Sequence, residues 1–290
     1  YIQSYSVYTG NAFPVNELSI LARYGYIQNM NYYAREFSVI QRLTSRVSQS
    51  LNFPYTCRRG LARGLKRRGG LGFLPGGKPT PEENFLRSLD LSGKTVFDIG
   101  GFHGLMTIFF ASHAERVVAY EPLPASRARI MDNVTLNGFR NVILRSVAVG
   151  AAPGELKLVY DNLMTGGASG DPEIARELDS SAQTPQFEVV PLTTIDQEIA
   201  GGQPAPDFVK IDVEGMESDV LSGMRDLLAG RKPWLYIELH GTTPEDKQKN
   251  AQDVIDTMRQ AAYEVYDVEQ GRVIGRAEPI TGKESHVFGK

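Results

Sequence analysis

The chain has 290 residues, 41% of them hydrophobic and 22% charged, with a net charge of −3 and a pI near 5.9. That size and composition suit one large α/β domain with an appendage, or two small domains, while the slight acidity offers no general attraction to nucleic acid or to an anionic membrane. The single cysteine, Cys57, excludes an internal disulfide and a cysteine-rich zinc site, and no apolar run approaches the length of a membrane span. The expectation is a cytoplasmic protein with neither nucleic acid nor membrane as its partner.

Residues 1–79 differ from the rest, being rich in tyrosine, serine and arginine and lacking a strand pattern. Leu18, Leu21, Tyr24, Ile27, Phe37, Ile40 and Leu43 recur at loosely helical intervals, which predicts a helical N-terminal extension able to cover a substrate or to pair with a second subunit as a homo-oligomer. Arg58, Arg59, Arg63, Lys66, Arg67 and Arg68 then form a basic run, followed by glycine-rich sequence to Gly77. It reads either as a contact for an anionic substrate or nucleic acid, or as a solvated linker, and the linker is expected.

From residue 80 to 290 the pattern becomes that of one domain. Thr80-Pro81-Glu82-Glu83 places an N-cap, a proline and acidic first-turn residues in the order that starts a helix. The strand Thr95–Ile99 then runs into Gly100-Gly101-Phe102-His103-Gly104, and Leu105, Ile108 and Phe109 continue at helical spacing, so the sequence is strand, tight turn, helix. A second strand, Arg116–Tyr120, ends in Glu121, where α/β nucleotide sites hold a carboxylate for ribose hydroxyls. After a helix begun by Pro124 and ended by Gly138, a third strand covers 142–148, so that Ser146 and Val147 would lie nearest a bound base.

The turn selects among nucleosides. A dinucleotide fingerprint, G-x-G-x-x-G, leaves bare backbone for a pyrophosphate, but here Asp98 and His103 stand at the first and third glycine positions. An anionic carboxylate there suits S-adenosylmethionine, which carries a sulfonium and an ammonium and no phosphate. The competing reading is a glycine turn that merely shapes a β-to-α connection.

Residues 154–160 and 187–192 read as two extra strands, joined by a polar segment, 161–186, expected to be a substrate-covering loop, with a disordered segment as the alternative. The strand Phe208–Ile211 delivers Lys210, Asp212, Glu214 and Glu217, and Trp234–Ile237 delivers Glu238 and His240, to one sheet edge. A bland reading makes these ion pairs at the sheet rim. Val220, Leu221, Met224 and Leu227 outline one helix ended by Gly230, and Thr243-Pro244-Glu245 opens the last. Two closing strands, 262–268 and 285–288, are joined by a glycine-containing connection.

With both dense stretches in view, the sequence resembles the FkbM-type S-adenosylmethionine-dependent methyltransferases. The matching pieces are Thr80-Pro81-Glu82-Glu83, Phe97-Asp98-Ile99-Gly100-Gly101, Tyr120-Glu121-Pro122, Asn133 with Leu136-Asn137-Gly138, Ala148-Val149-Gly150, Thr193-Thr194-Ile195-Asp196, the Lys-x-Asp-x-Glu-Gly-x-Glu run from Lys210 to Glu217, and Ile237-Glu238-Leu239-His240. The likeness covers residue 80 to the C-terminus. One departure stands out: the family's first turn usually continues Gly-Ala-Asn, and this chain has Gly100-Gly101-Phe102.

The resemblance implies an α/β, Rossmann-like class I methyltransferase domain, with a seven-stranded, mostly parallel sheet whose last strand is antiparallel. It implies O-methylation of a sugar or natural-product hydroxyl, a small-molecule acceptor. Asp98, Gly100, Gly101 and Gly104 would hold the methionine end of S-adenosylmethionine and Glu121 the ribose diol. Ser146 and Val147 would flank adenine, with Asp212 near the sulfonium. An alcohol needs a base, and His240, with its ordinary pKa near neutrality, is the first choice and Asp212 the second. Glu214 and Glu238 would orient the acceptor and Lys210 the carboxylates. No metal is required by this reading, although Asp212, Glu214 and Glu238 could instead ligate Mg²⁺. A non-catalytic nucleoside-binding module is the alternative.

Overall fold

The computed structural model describes residues 52–161, 168–169, 185–241 and 243–290. The helices expected between 16 and 50, the oligomer contact assigned to them, and most of the covering loop at 161–186 lie outside the described residues.

A doubly wound sheet is built around β3 (Thr95–Ile99), which pairs in parallel with β4 (Arg116–Tyr120) on one side and β10 (Phe208–Ile211) on the other. β5 (Val142–Arg145) and β11 (Trp234–Glu238) extend it in parallel, so five strands end on one edge. The chain's last strand, β14 (His286–Gly289), inserts antiparallel beside β11, as expected, and β12 (Val265–Asp267) and β13 (Arg272–Val273) follow outward. The sheet therefore has eight strands rather than the expected seven. The additional one, β13, is two exposed residues at the edge, within the segment read as a connection, and is too short to carry a strand pattern.

Alternation along the strands sorts the core into two layers. Phe97, Ile99, Val209, Ile211, Leu235 and Ile237 pack with residues of α5 (Glu217–Ser222), α6 (Arg225–Gly230) and α7 (Pro244–Gln260). Val96, Phe208 and Tyr236 pack on the opposite face against Leu86 of α1 (Pro81–Ser88) and Phe109 and Phe110 of α2 (Leu105–Ala111). Asp98 and Lys210 share that second face, directly opposite each other in the β3–β10 register.

The expected helix caps are present: the Thr80 hydroxyl accepts from Glu83 N–H at 3.0 Å, and Thr243 and Asp246 close a capping box. The two extra strands are β7 (Gly154–Asp161) and β9 (Pro185–Thr193), antiparallel to each other in a separate four-stranded sheet with β6 (Ala148–Val149) and β8 (Ala168–Ser169). The helix expected to run on to Gly230 is split instead into α5 and α6. A Cβ on Gly223 would stand 2.0 Å from the Gly150 carbonyl oxygen, and the break permits that backbone approach.

The basic run is not the solvated linker that was expected. β1 (Tyr55–Thr56) and β2 (Lys66–Arg67) form a hairpin whose Cys57 and Ala62 are buried with Ile130 and Val134 of α3 (Pro124–Leu136). Two asparagines fasten it: Asn137 Oδ1 accepts from Lys66 N–H at 2.8 Å while its amide donates to Lys66 O at 2.7 Å, and Asn133 Oδ1 accepts from Arg68 N–H at 2.8 Å.

Candidate active site

The glycine turn after β3 is fixed by the chain around it. A Cβ on Gly100, whose φ is +81°, would fall 1.8 Å from the Asp212 carbonyl oxygen, and one on Gly104 would fall 3.1 Å from Ile130 Cα. These glycines admit neighbouring backbone, a structural demand separate from any ligand. The turn's N–H groups are also engaged: those of Gly100 and Gly101 donate to Tyr120 O, that of Gly104 to Gly101 O, and that of Phe102 to Glu121 Oε2 at 2.8 Å. No ready cradle for a pyrophosphate is left at these four positions.

Glu121 follows directly on β4, with its other oxygen accepting from Leu123 N–H at 2.8 Å. Burial pushes its carboxyl up to about 7 against those two hydrogen bonds. Each oxygen retains a lone pair for a further donor. Ser146 is exposed and Val147 half-buried just past the end of β5, on the same sheet edge.

Lys210 joins the two dense stretches. Its buried Nζ donates to Gly100 O at 2.8 Å and lies 3.0 Å from Asp212 Oδ2 and 3.5 Å from Asp98 Oδ1. Burial alone would strip its proton, but Asp212 and Asp98 more than reverse that and hold the ammonium charged. Asp98 is fully buried, with Oδ2 accepting from the Thr107 hydroxyl at 2.6 Å and Oδ1 left without a hydrogen-bond partner among the described residues.

His240 stands at the centre of four carboxylates. Nδ1–H donates to fully buried Glu217 at 2.8 Å, and Nε2 lies 3.6 Å from Glu238, 3.7 Å from Glu214 and 3.8 Å from Asp212. Glu217 is itself held by Gly215 N–H and the Asn250 amide, at 3.1 and 2.7 Å. Burial would lower the imidazole, yet Glu214, Glu217 and Glu238 raise it well above its ordinary value. His240 as the first-choice base, a role argued from an unperturbed imidazole, conflicts with these surroundings: an imidazolium has no lone pair to accept a proton.

The carboxylates are unequal. Burial, reinforced by Asp212 and Glu238, pushes Glu214 up to about 8 despite His240. Glu214 also has φ +52°, a left-handed backbone that costs a non-glycine residue about 1–3 kcal/mol. Burial raises Asp212 too, with Lys210 opposing. Glu238 is held down at about 2 because His286 and His240 outweigh its burial.

His286, Glu217, Asn250 and Thr107 escaped the sequence reading as site residues. Glu217 lay inside the recognised run, whereas His286 and Asn250 come from a strand and a helix far along the chain, with no local pattern to mark them. Asp212, Glu238 and His240 have ligand atoms all within 4.8 Å of one another, close enough to share a divalent cation.

A doubly wound sheet with an acidic, lysine-braced crevice at its carboxyl edge, beside a glycine turn and a strand-end glutamate, is the architecture of a class I methyltransferase. The sequence profile of the methyltransferase FkbM domain matches residues 98–265, and the chain belongs to that family. No curated protein matches it. Among solved structures it is similar to methyltransferase FkbM from Methylobacillus flagellatus KT, at 17% identity and a TM-score of 0.47, covering 70% of this chain and 45% of that one. Precorrin-6y C5,15-methyltransferase from Geobacter metallireducens GS-15 aligns at 17% identity and TM-score 0.36, over 62% of this chain and 67% of that one. Aeropyrum pernix fibrillarin, solved with natively bound S-adenosyl-L-methionine, aligns at 11% identity and TM-score 0.39, over 70% and 69%. The chain thus spans less than half the length of the solved FkbM protein. Among the described residues no helix is long and apolar enough to cross a membrane.

Proposed function

We propose that this chain is an S-adenosylmethionine-dependent O-methyltransferase acting on a hydroxyl of a sugar or small natural product. The observation that carries the reading is the meeting of Lys210, Asp212, Glu214, Glu238 and His240 beside the Gly100 turn. Such a crevice suits a cationic nucleoside, and the buried Asp98 Oδ1, which faces Lys210 at 3.5 Å but accepts no hydrogen bond among the described residues, adds to its acidity. Asp98 and the turn at Gly100, Gly101 and Gly104 would hold the methionine end, Glu121 the ribose hydroxyls, and Ser146 and Val147 the adenine. S-adenosylmethionine, when bound, supplies an electrophilic methyl group on sulfur.

The protein's main contribution is alignment, which can supply about 7–11 kcal/mol of a barrier. Asp212 is the base in this account. It takes the acceptor's hydroxyl proton at its carboxylate while Lys210 fixes one of its oxygens and the His240 cation lies near the other. Glu238 and Glu214 orient the hydroxyl, Glu214 as a hydrogen-bond donor when protonated. Incubation with candidate sugars and hydroxylated small molecules, followed by mass spectrometry for one added methyl, tests the reading. Methylated products support it, and methylation of RNA alone defeats the acceptor class.

A second reading, a nucleoside-binding module without turnover, draws on Phe102. It occupies the position of the family's asparagine with φ +45° and its ring stacked on His103 at 3.8 Å between centroids. Tight cofactor binding with no product from any acceptor would favour it.

A further inference from the structure

The docked hairpin brings two arginines to one turn. Arg67 Nη1 would lie 2.9 Å from a Cβ on Gly70, and Arg129 Nη1, from α3, 3.3 Å from a Cβ on Gly69. Both guanidiniums therefore lie against the bare backbone of one turn, whose glycines have φ +77° and +72°. Arg67 Nε and Arg129 Nη1 are buried with no hydrogen-bond partner among the described residues. The groups acting on Arg67 are the Tyr55 phenol, the Cys57 thiol and Arg129, with no carboxylate among them.

His103 joins the group from the glycine turn after β3: its carbonyl accepts at 2.8 Å from the amide of Asn133, whose Oδ1 also holds Arg68 N–H at 2.8 Å. Burial, then Arg67 and Arg129, pushes its imidazole down to about 4, so it is neutral near pH 7 and can donate one hydrogen bond. Two cations at one turn, each with an idle donor, are costly in a fold. Planar guanidinium forks match the oxygens of a phosphate or carboxylate, which would satisfy both charge and donors.

We propose that Arg67, Arg129 and His103 form a receptor for an oxyanion. The anion is either the carboxylate at the methionine end of the cofactor or a phosphate or carboxylate on another ligand. The shared chemistry is an oxygen-rich anion held by two guanidiniums, on the flank of the 101–104 turn. The basic run thus has a binding role, and that role stands whether or not the methyl-donor reading does, because inorganic phosphate can probe it alone.

The test uses the full chain in buffer free of phosphate and sulfate, comparing wild type with Arg67→Met and Arg129→Met. Inorganic phosphate at about a hundred times its Kd should raise the wild-type Tm by about 5 °C and leave both variants unmoved. Without anion, both variants should melt at or above the wild-type temperature, since each removes a half-buried charge carrying a buried donor that has no hydrogen-bond partner among the described residues. If either fails to fold, Arg129→Lys, which keeps the charge and loses the fork, should still show a reduced phosphate response. Binding of S-adenosylhomocysteine separates the sources. A tenfold or greater loss in both variants, with phosphate competing in wild type, assigns the cofactor's carboxylate, and unchanged binding assigns another ligand's anion. A wild-type Tm that phosphate does not move, together with unchanged S-adenosylhomocysteine binding in the variants, overturns the proposal.

Discussion

Glu217 lies fully buried with its carboxylate 2.8 Å from Nδ1 of His240, and this one contact aims Nε2 at Asp212, Glu214 and Glu238. Glu217→Gln keeps the shape and removes the charge that answers the imidazolium. Breaking a buried pair in this way costs about 3–5 kcal/mol. Urea denaturation should show a loss of that order, and a variant as stable as wild type would remove Glu217 as the group that fixes His240.

Asp212→Asn should leave the crevice folded and take away the proposed proton acceptor. General-base assistance is worth about a hundred to ten-thousandfold, so kcat should fall in that range while S-adenosylhomocysteine affinity changes only a few-fold. If kcat instead holds while His240→Asn abolishes turnover, the base is the histidine after all.

Glu121 gives a pH dependence with a definite sign. Its carboxyl sits at about 7 in the folded chain and near 4.5 when unfolded, so the folded state binds more protons between those values. Its contribution to stability is greatest below about 4.5, declines as pH rises towards 7, and is level above that. Glu121→Gln removes the dependence, so stability of the variant relative to wild type should rise by about 2–3 kcal/mol from pH 5 to pH 8. A difference that stays constant over that span contradicts the burial argument.

Gly100→Ala should not yield a native protein. Positive φ strains any side chain there, and the new methyl would meet the Asp212 carbonyl oxygen, a backbone atom, at 1.8 Å. Soluble expression with an unaltered Tm would mean that the β3 and β10 ends are not packed as described.

Metal removal separates two uses of the same carboxylates. Lys210 and the His240 imidazolium already place two positive charges among them, so activity should survive excess EDTA. Loss of activity restored by Mg²⁺ or Mn²⁺ would assign Asp212, Glu238 and His240 as ligands.

What was legible in the sequence was whatever the chain settles locally. Thr80-Pro81 and Thr243-Pro244 announce their helices through side chains that cap them, and the apolar runs ending in Asp98, Glu121, Asp212 and Glu238 announce strands that share an edge. Features set by distant packing were hidden. The helix break at Gly223 depends on the Gly150 carbonyl, and the docking of the basic hairpin depends on Asn133 and Asn137 some seventy residues on. The surroundings of His240 were hidden for the same reason: its type suggests a base, and only the carboxylates gathered around it raise its imidazole well above the ordinary value.

The central claim is that a sulfonium nucleoside occupies the crevice beside Gly100. Calorimetric titration of the intact chain with S-adenosylmethionine, S-adenosylhomocysteine, NAD and ATP tests it directly, with Glu121→Ala as the control. The account predicts that the two methionine-derived nucleosides bind, that NAD and ATP do not, and that Glu121→Ala weakens the binding. Binding of NAD or ATP in their place, or undiminished binding by the variant, would contradict it.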